Sequence, residues 1–541
     1  MCSQAHELGM PQASGRRRNI LRCWLPLGCI ILVAFGVLAA GVKRDLPFTP
    51  EIDEPQFVHR ALNIAATADL NPHWFGNPGS TLLYPLAGIY RVQHAAVGDD
   101  AGLRAAFKSD PEDFYLMGRF LVIFYAVAAI PFVYMVGRRA FGGRVALIGA
   151  ALSALYPLAV SHAQMVRSDS AAMFFGVLAL WLCLRVYDRP TVPNQLWAGL
   201  AIGLAISTRY FMVALLPVLL AANILALRRD VAQGRAIVAA SLAAGAGLVM
   251  VAVTFAATTP FFFLDFKAAW ASVSNEARGT HLGHDGLSPP ENTLWYLRVA
   301  IPSVITWPQA ALMAVGVGLV LLRRRPEQLL LLGFAVIFLA GISMSGLHWK
   351  RWIIPMLPVL ALLVAYAIAE VTGWLGGRLR ASMVPQLAVV LAAVAVAAWP
   401  GYQVVLQDIR HARDSTRILA REWILENIPA GSRLAEEWYT APSLGGSQLD
   451  VYTTQYLDER SLDEYRQEGY QYLVVSSSIY GRYFAERERY PETVAFYREV
   501  FAEANLLQRF VPSSTRGGPE IRIYGLDSAE TTALSGAEPP D

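Results

Sequence analysis

Cysteine is scarce in this chain: Cys2, Cys23, Cys29 and Cys183 are the only four among 541 residues. All four fall in the N-terminal tail or in apolar runs, so the polar connections and the C-terminal part can form neither a disulfide nor a cysteine-ligated zinc site. Charge is scarce too. Only 16% of residues are Asp, Glu, Lys or Arg against 55% hydrophobic, and the mean hydropathy of +0.38 excludes an ordinary soluble domain of this length. The formal net charge of +3 points to no polyanionic partner, and nucleic acid is not expected as one. Internal repeats and matching Gly- or Pro-broken helices are absent, which counts against the alternative of a multi-pass transporter of an anionic or lipid-linked substrate.

What the chain has is apolar runs of about 20 residues, the length a helix needs to cross a bilayer. They begin at residue 19 and recur to about residue 402. If Arg16, Arg17 and Arg18 hold the N-terminus in the cytoplasm, every second connection should be rich in Arg and Lys. Arg138, Arg139 and Arg144; Arg185 and Arg189; Arg228, Arg229 and Arg235; Arg323, Arg324 and Arg325; and Arg378 and Arg380 obey that rule. The parity predicts crossings at 19–42, 115–137, 145–163, 169–187, 195–208, 210–227, 236–257, 298–321, 328–346, 352–371 and 383–402. The fifth and sixth form one apolar run interrupted only by Ser207, Thr208 and Arg209; a single helix there would put three basic clusters outside.

The expected fold class is therefore an α-helical polytopic membrane protein of about 11 transmembrane helices with a small C-terminal α/β extracytoplasmic domain. Its parts are a cytoplasmic tail (1–18), a membrane domain (19–402) with outer loops 43–114 and 258–297, the α/β domain (403–527) and a disordered tail (528–541). The first run is too long for a signal-peptide core, so a retained anchor is expected. In the C-terminal domain, Thr416 to Asn427 and Pro491 to Phe510 look helical, while Tyr472 to Ser476 and Ile521 to Tyr524 look like strands. Its Trp423, Trp438, Tyr439, Tyr480 and Tyr483 could stack on sugars or fill a core; acceptor binding is the role assigned to it.

Ionisable groups concentrate in the outer connections. Asp53 and Glu54 open a segment in which Phe57, Val58, Ala61, Leu62, Ile64, Ala65 and Ala68 recur at helical spacing. An amphipathic helix on the bilayer surface is predicted, with both carboxylates at its N-terminus, where the helix dipole favours anions. Capping alone would also account for such a pair. The stretch SHAQMVRSDS (Ser161 to Ser170) brings His162, Arg167 and Asp169 to the membrane boundary, where an Arg167–Asp169 ion pair could close the turn. Arg209 lies deep in an apolar run, at a cost of about 2.5–3.5 kcal/mol unless it faces a cavity and an anion. NEARGTHLGHDG (Asn275 to Gly286) offers Glu276, His281, His284 and Asp285, more often structural than metal-binding at this spacing. HWKRW (His348 to Trp352) sets Lys350 and Arg351 between tryptophans, as interfacial anchors or as anion ligands.

Carboxylates and cations on one face suit transfer from a lipid phosphate. The carboxylate accepts the proton of an attacking hydroxyl, and fixed cations stabilise the departing phosphate. The DE pair, NPGSTLLYPLAGIY (Asn77 to Tyr90), RSDSAAMFF (Arg167 to Phe175), GLAIGLAISTRY (Gly199 to Tyr210) and HWKRWIIPMLP (His348 to Pro358) resemble, in kind and order, motifs of the polyprenyl-phosphate-sugar glycosyltransferases of the GT-C superfamily. The likeness covers about residues 19–402 and points to the bacterial branch of protein O-mannosyltransferases and lipid A aminoarabinose transferase.

That resemblance implies a GT-C membrane domain in the bacterial inner membrane, with the C-terminal domain periplasmic or extracellular. It implies a polyprenyl-phosphate sugar donor, a lipid, glycan or protein acceptor, and Asp53 as catalytic base assisted by Asp169, with Glu54 beside it. Arg209 would hold the lipid phosphate, with Arg167, His281, His284, Lys350 and Arg351 as further substrate contacts. Some relatives use a divalent metal cation; whether this chain does stays open, with Glu54, Asp169 and His284 as candidate ligands. The chain departs from the pattern in carrying Arg209 where many relatives have lysine and Trp352 where they have tyrosine, and arginine presents a different donor geometry.

Overall fold

The computed structural model describes residues 13–49, 53–94, 100–232, 237–276, 278–378 and 384–526. The tail at 528–541 and the basic residues Arg235 and Arg380 lie outside the described residues.

The membrane domain is a bundle of helices. In chain order they are α1 (Ala13–Ala40), α2 (Asp53–Thr67), α3 (Ser80–Gln93), α4 (Asp100–Ser109), α5 (Pro111–Ala140), α6 (Gly143–Ala154), α7 (Pro157–Ala163), α8 (Asp169–Asp188), α9 (Val192–Thr208) and α10 (Leu215–Ala232). There follow α11 (Ile237–Thr258), α12 (Phe261–Leu264), α13 (Phe266–Glu276), α14 (Pro289–Trp295), α15 (Ile301–Ile305), α16 (Trp307–Arg323), α17 (Pro326–Ser343), α18 (Leu357–Arg378) and α19 (Val384–His411). Every expected crossing corresponds to helical segments. Seven helices among the described residues are long and apolar enough to span alone, and two bent pairs bring the number to nine. The remaining two expected crossings fall on α1, apolar over Trp24–Ala40, and on the 17-residue α9.

The bends correct two expected continuous helices. The segment at 145–163 bends by 59° between α6 and α7, ahead of Pro157, and that at 298–321 turns by 117° between α15 and α16. At the second bend Thr306 adopts φ 73° directly before Trp307 and Pro308, which open α16, where proline is tolerated because its missing N–H would have no partner within the helix. The doubtful fifth and sixth crossings are two antiparallel helices. Asn223 Nδ2 donates to Gln195 Oε1 at 3.3 Å, although a single helix would hold residues 28 apart at roughly 42 Å. Gly199 and Gly203 let α9 lie against α11: a Cβ at these positions would come within 2.3 Å of the Gly247 carbonyl oxygen and 2.5 Å of Thr254 Cβ.

Residues Leu357–Ile368 of α18 are the buried centre of the bundle, whereas α11 and α19 expose Leu242, Val249, Leu391 and Trp399, as helices facing hydrocarbon would. The arginine-rich connections gather at one end. Arg139 joins Asp188 at 2.5 Å and Glu327 at 3.4 Å, and Arg323 joins Glu370 at 2.5 Å. The acidic and histidine-bearing connections lie at the other.

Helix α19 runs on to His411, past the expected boundary at 402, and leads into α20 (Thr416–Asn427) and a five-stranded sheet. The strands are β1 (Arg433–Glu437), β2 (Asp450–Thr454), β3 (Tyr472–Ser476), β4 (Asn505–Phe510) and β5 (Ile521–Gly525), in the order β2-β1-β3-β5-β4. β1 is parallel to β2 and β3, and β5 is antiparallel to β3 and β4. Along β3, Leu473 and Val475 pack with α21 (Leu462–Gln467), α22 (Tyr480–Ala485) and α23 (Pro491–Glu503), while Tyr472 and Val474 pack with α20. This period-two alternation covers both faces of a central strand. The expected helix at Pro491 to Phe510 stops at Glu503, because Asn505–Phe510 pairs with β5 as an edge strand and its backbone bonds are met there. Tyr480 and Tyr483 fill the core and Trp438 is exposed.

Candidate active site

Adjacent residues on a helix point about 100° apart, and the DE pair divides on that basis. Glu54 turns inward. Arg119 clamps it with Nε and Nη2, both at 2.8 Å, and the Val166 amide donates to it at 3.0 Å. The remaining Arg119 nitrogen donates to the carbonyl oxygens of Val42 and Arg44 at 2.7 and 2.8 Å. One buried ion pair thus fixes α2 against α5, the end of α1 and the loop before Arg167. The apolar face of α2, led by Phe57, Val58 and Ala61, packs against Leu82 and Leu86 of α3 and Phe114 of α5. This corrects the expectation of a helix lying on the bilayer: protein covers the face that lipid was expected to cover.

Asp53 turns the other way and keeps 46% of its side chain exposed. Arg167 Nη2 lies 2.6 Å from its carboxylate and Arg351 Nη2 at 3.8 Å. Burial pushes the Asp53 pKa up, but Arg167 and then Arg351 outweigh it, so the carboxyl is held below its ordinary range and is ionised at neutral pH. Asp169, the first residue of α8, is fully buried. Arg209 Nη2 reaches it at 2.9 Å, and Arg167 Nε and His162 Nδ1 each at 3.5 Å. Arg209 sits in extended backbone (φ −150°) between α9 and the 3-10 turn Tyr210–Ala214, at the break that separates the two crossings. Asp53, Arg167, Asp169, Arg209 and Arg351 therefore form one connected network drawn from four separate stretches of chain.

A cavity of about 400 Å³ opens beside this network. Arg209, Arg351, Trp349, Asn77, Glu276 and Arg278 are among its lining residues. Nε of Arg209 and Nε of Arg351 are buried without a hydrogen-bond partner among the described residues. Two guanidinium groups with donors unused, lining a cavity, constitute a receptor for an anion. Arg351 also lies 4.3 Å over the Trp349 ring.

The histidine pair does not join the carboxylates. His284 stacks on Trp349 with centroids 3.7 Å apart, and His281 lies 5.0 Å from the same ring. Burial first, then Arg278 and Arg482 at His281 and Arg482 at His284, lowers both imidazole pKa values to about 4, so they are neutral at pH 7. Asp285 accepts from Arg489 of the C-terminal domain at 2.7 and 3.1 Å, so this loop ties the two domains together behind Trp349. Lys350 is exposed and makes no contact with the network. Glu54, Asp169 and His284 do not converge. Among the described residues no group of three or more His, Cys, Asp or Glu is placed to hold a metal ion, so the three candidates do not form one ligand set. The motif reading passed over Arg119, although it stands in an apolar crossing as Arg209 does and the same desolvation argument applies to it. Trp349 had been assigned only to the membrane interface.

A polar network buried at one end of a helical membrane bundle, beside an anion-receiving cavity, defines a membrane protein built to handle a charged group at bilayer depth. The model of the dolichyl-phosphate-mannose-protein mannosyltransferase family matches residues 115–268, the part that carries Arg167, Asp169 and Arg209. Among solved structures, ArnT from Cupriavidus metallidurans in the apo state is similar at 15% identity, over 97% of this chain and 100% of that one, with a TM-score of 0.53. The same protein bound to undecaprenyl phosphate gives 15% identity, 96% and 100% coverage and a TM-score of 0.52. The oligosaccharyltransferase AglB from Archaeoglobus fulgidus, in complex with an inhibitory peptide and a dolichol-phosphate, gives 14% identity, 94% and 75% coverage and a TM-score of 0.49. Among curated proteins no sequence matches. The chain has the GT-C fold seen in ArnT, and over residues 115–268 it is similar to the mannosyltransferase family.

Proposed function

We propose that this protein transfers a sugar from a polyprenyl-phosphate-linked donor to an acceptor hydroxyl on lipid, glycan or protein, at the outer face of the bacterial inner membrane. The single observation that carries the proposal is Asp53, ionised and half-exposed, within salt-bridge reach of Arg351, which lines a cavity together with Arg209. Asp53 accepts the proton of the acceptor hydroxyl as its oxygen bonds the anomeric carbon. The bond from that carbon to the phosphate oxygen breaks, the electron pair leaves with the phosphate, and configuration inverts. Arg209 and Arg351 receive the developing charge, while Asp169 holds Arg209 and Arg167 in place. The arginine-rich connections lie at the opposite end from this site, which supports the outward assignment. The mannosyltransferase family match and the undecaprenyl phosphate bound by ArnT support a lipid-phosphate donor.

The test is Asp53→Asn in membranes supplied with labelled polyprenyl-phosphate sugar. Loss of transfer with expression intact supports the assignment. Undiminished transfer removes Asp53 as the base.

A further inference from the structure

We propose that a second cavity, at the junction of the membrane and C-terminal domains and separate from the one above, is a binding site for a phosphate group. It measures about 340 Å³ and has a polar lining that includes Arg44, Arg410, Arg417, His411 and Ser415. Three arginines line it, with Asp45 the carboxylate among the described lining residues, 3.5 Å from Arg44; Arg410 Nε donates to the Ser514 carbonyl at 3.0 Å and Arg417 Nε to the Tyr439 carbonyl at 3.2 Å. His411 is held between Arg44 Nη1 at 3.3 Å from Nε2 and Gln164 Oε1 at 2.9 Å from Nδ1. Its Nδ1 therefore carries the hydrogen, the imidazole is neutral, and it steers Arg44 without cancelling the positive field.

The second observation is Ser415, the N-cap residue of the 12-residue α20. A serine there ordinarily accepts from the first turn of its own helix. Ser415 makes no such cap; its Oγ is buried, with the residue 5% exposed, and has no hydrogen-bond partner among the described residues although it lines this cavity. A buried hydroxyl left so is destabilising unless a ligand meets it. Helix α20 also starts here: the Thr416 and Ile418 amides are met by the Gly517 and Ser415 carbonyl oxygens, each at 3.0 Å, and it is the positive end of the helix dipole that favours an anion. The far wall is the Gly517–Gly518–Pro519 loop. Gly518 has φ 105°, and a Cβ there would come within 2.1 Å of Thr416 Oγ1, so the loop closes on the helix start only because it is glycine. Arg44 and His411 belong to the membrane side and Arg417 to the C-terminal domain, so a bound phosphate joins the two.

The same chemistry could be presented by free phosphate or by a lipid phosphomonoester, and the experiment separates them. Thermal unfolding of the full chain is followed in neutral detergent with inorganic phosphate against chloride at matched ionic strength, and in phosphatidylcholine nanodiscs with and without phosphatidic acid. A saturable rise in midpoint with phosphate identifies the free ion, and a rise only with phosphatidic acid identifies a headgroup. In either case Arg417→Gln, made in an Arg351→Gln background so that the other cavity does not contribute, should raise the half-saturating concentration at least about tenfold over that background alone, the scale of one lost charge-assisted hydrogen bond. Ser415→Ala serves in place of Arg417→Gln if the latter does not fold, with a several-fold weakening expected. No rise with either source, or a rise that survives Arg417→Gln and Ser415→Ala, overturns the proposal.

Discussion

Two pairs of adjacent carboxylic acids, Asp53–Glu54 and Glu436–Glu437, look alike along the chain and sit in opposite surroundings. In the first pair each acid has its own arginine: Glu54 meets Arg119, and Asp53 meets Arg167. In the second pair, at the end of β1, both acids are buried and their partners are neutral. Thr440 and Thr453 hydroxyls donate to Glu436 at 2.8 and 3.0 Å; the Tyr497 hydroxyl donates to Glu437 at 2.6 Å, and the Ser476 amide donates to it as well. Burial pushes Glu436 up to about 7 and Glu437 up to about 8, whereas Asp53 is pulled below its usual range. Desolvation raises the pKa in both places, and at Asp53 the neighbouring arginines outweigh it. At neutral pH the proposed base of the first pair is ionised, whereas in the second, inside a domain core, Glu437 is mostly protonated and Glu436 is near its midpoint.

The largest effect is expected at Asp53, where Asn substitution should lower transfer by about 100- to 10,000-fold, the contribution of a positioned general base. Turnover of labelled donor in membranes measures it, and Glu437→Gln under the same assay should leave turnover within about twofold, or the contrast between the pairs fails. Next comes the anchor. Arg119→Ala strands Glu54 in the interior and should cost about 3–5 kcal/mol of stability, seen as a lowered unfolding midpoint in detergent. An unchanged midpoint would mean that the Glu54 pair is not structural.

A third prediction concerns pH. Because Glu436 and Glu437 titrate higher in the fold than in the unfolded chain, the folded state binds more protons, and the associated stability is full below about pH 4.5 and is lost as pH rises through about 7 and 8. Hydrogen exchange of the β3 peptide, corrected for intrinsic rate, should show protection falling from pH 5 to pH 8.5, and Glu437→Gln should flatten that slope. Protection that rises over the same range would reverse the assignment. The smallest effect is expected at Lys350, exposed beside Arg351: Lys350→Ala should change transfer by less than about twofold, with Arg351→Ala as the contrasting variant that loses it.

Much of the architecture was legible from the sequence because helices in lipid must be long, apolar and flanked by charge of predictable sign. The eleven expected segments and the division between membrane and C-terminal domains came from that constraint. Bends at Pro157 and Thr306 were harder to see, since proline near the edge of an apolar run also fits an ordinary helix start. Strands β1, β2 and β4 were missed because five- or six-residue segments such as RLAEE carry little periodic signal apart from their partners. Within the candidate site, Asp53, Arg167, Asp169, Arg209 and Arg351 were named from motifs and from the cost of charge in hydrocarbon. Glu54, His281, His284 and Lys350 were named by the same proximity along the chain, and folding directs them to other places.

The sequence by itself determined that this is a polytopic membrane protein, where its crossings fall and which ionisable residues need an explanation. Each of those follows from local composition and the cost of placing polar groups in lipid. Only the tertiary structure decided which charges meet. Asp53 and Glu54 differ by one position yet face Arg167 and Arg119, residues more than 60 positions away. Side-chain direction on a helix changes by about 100° per residue, and which partner lies in that direction depends on the packing of the whole bundle.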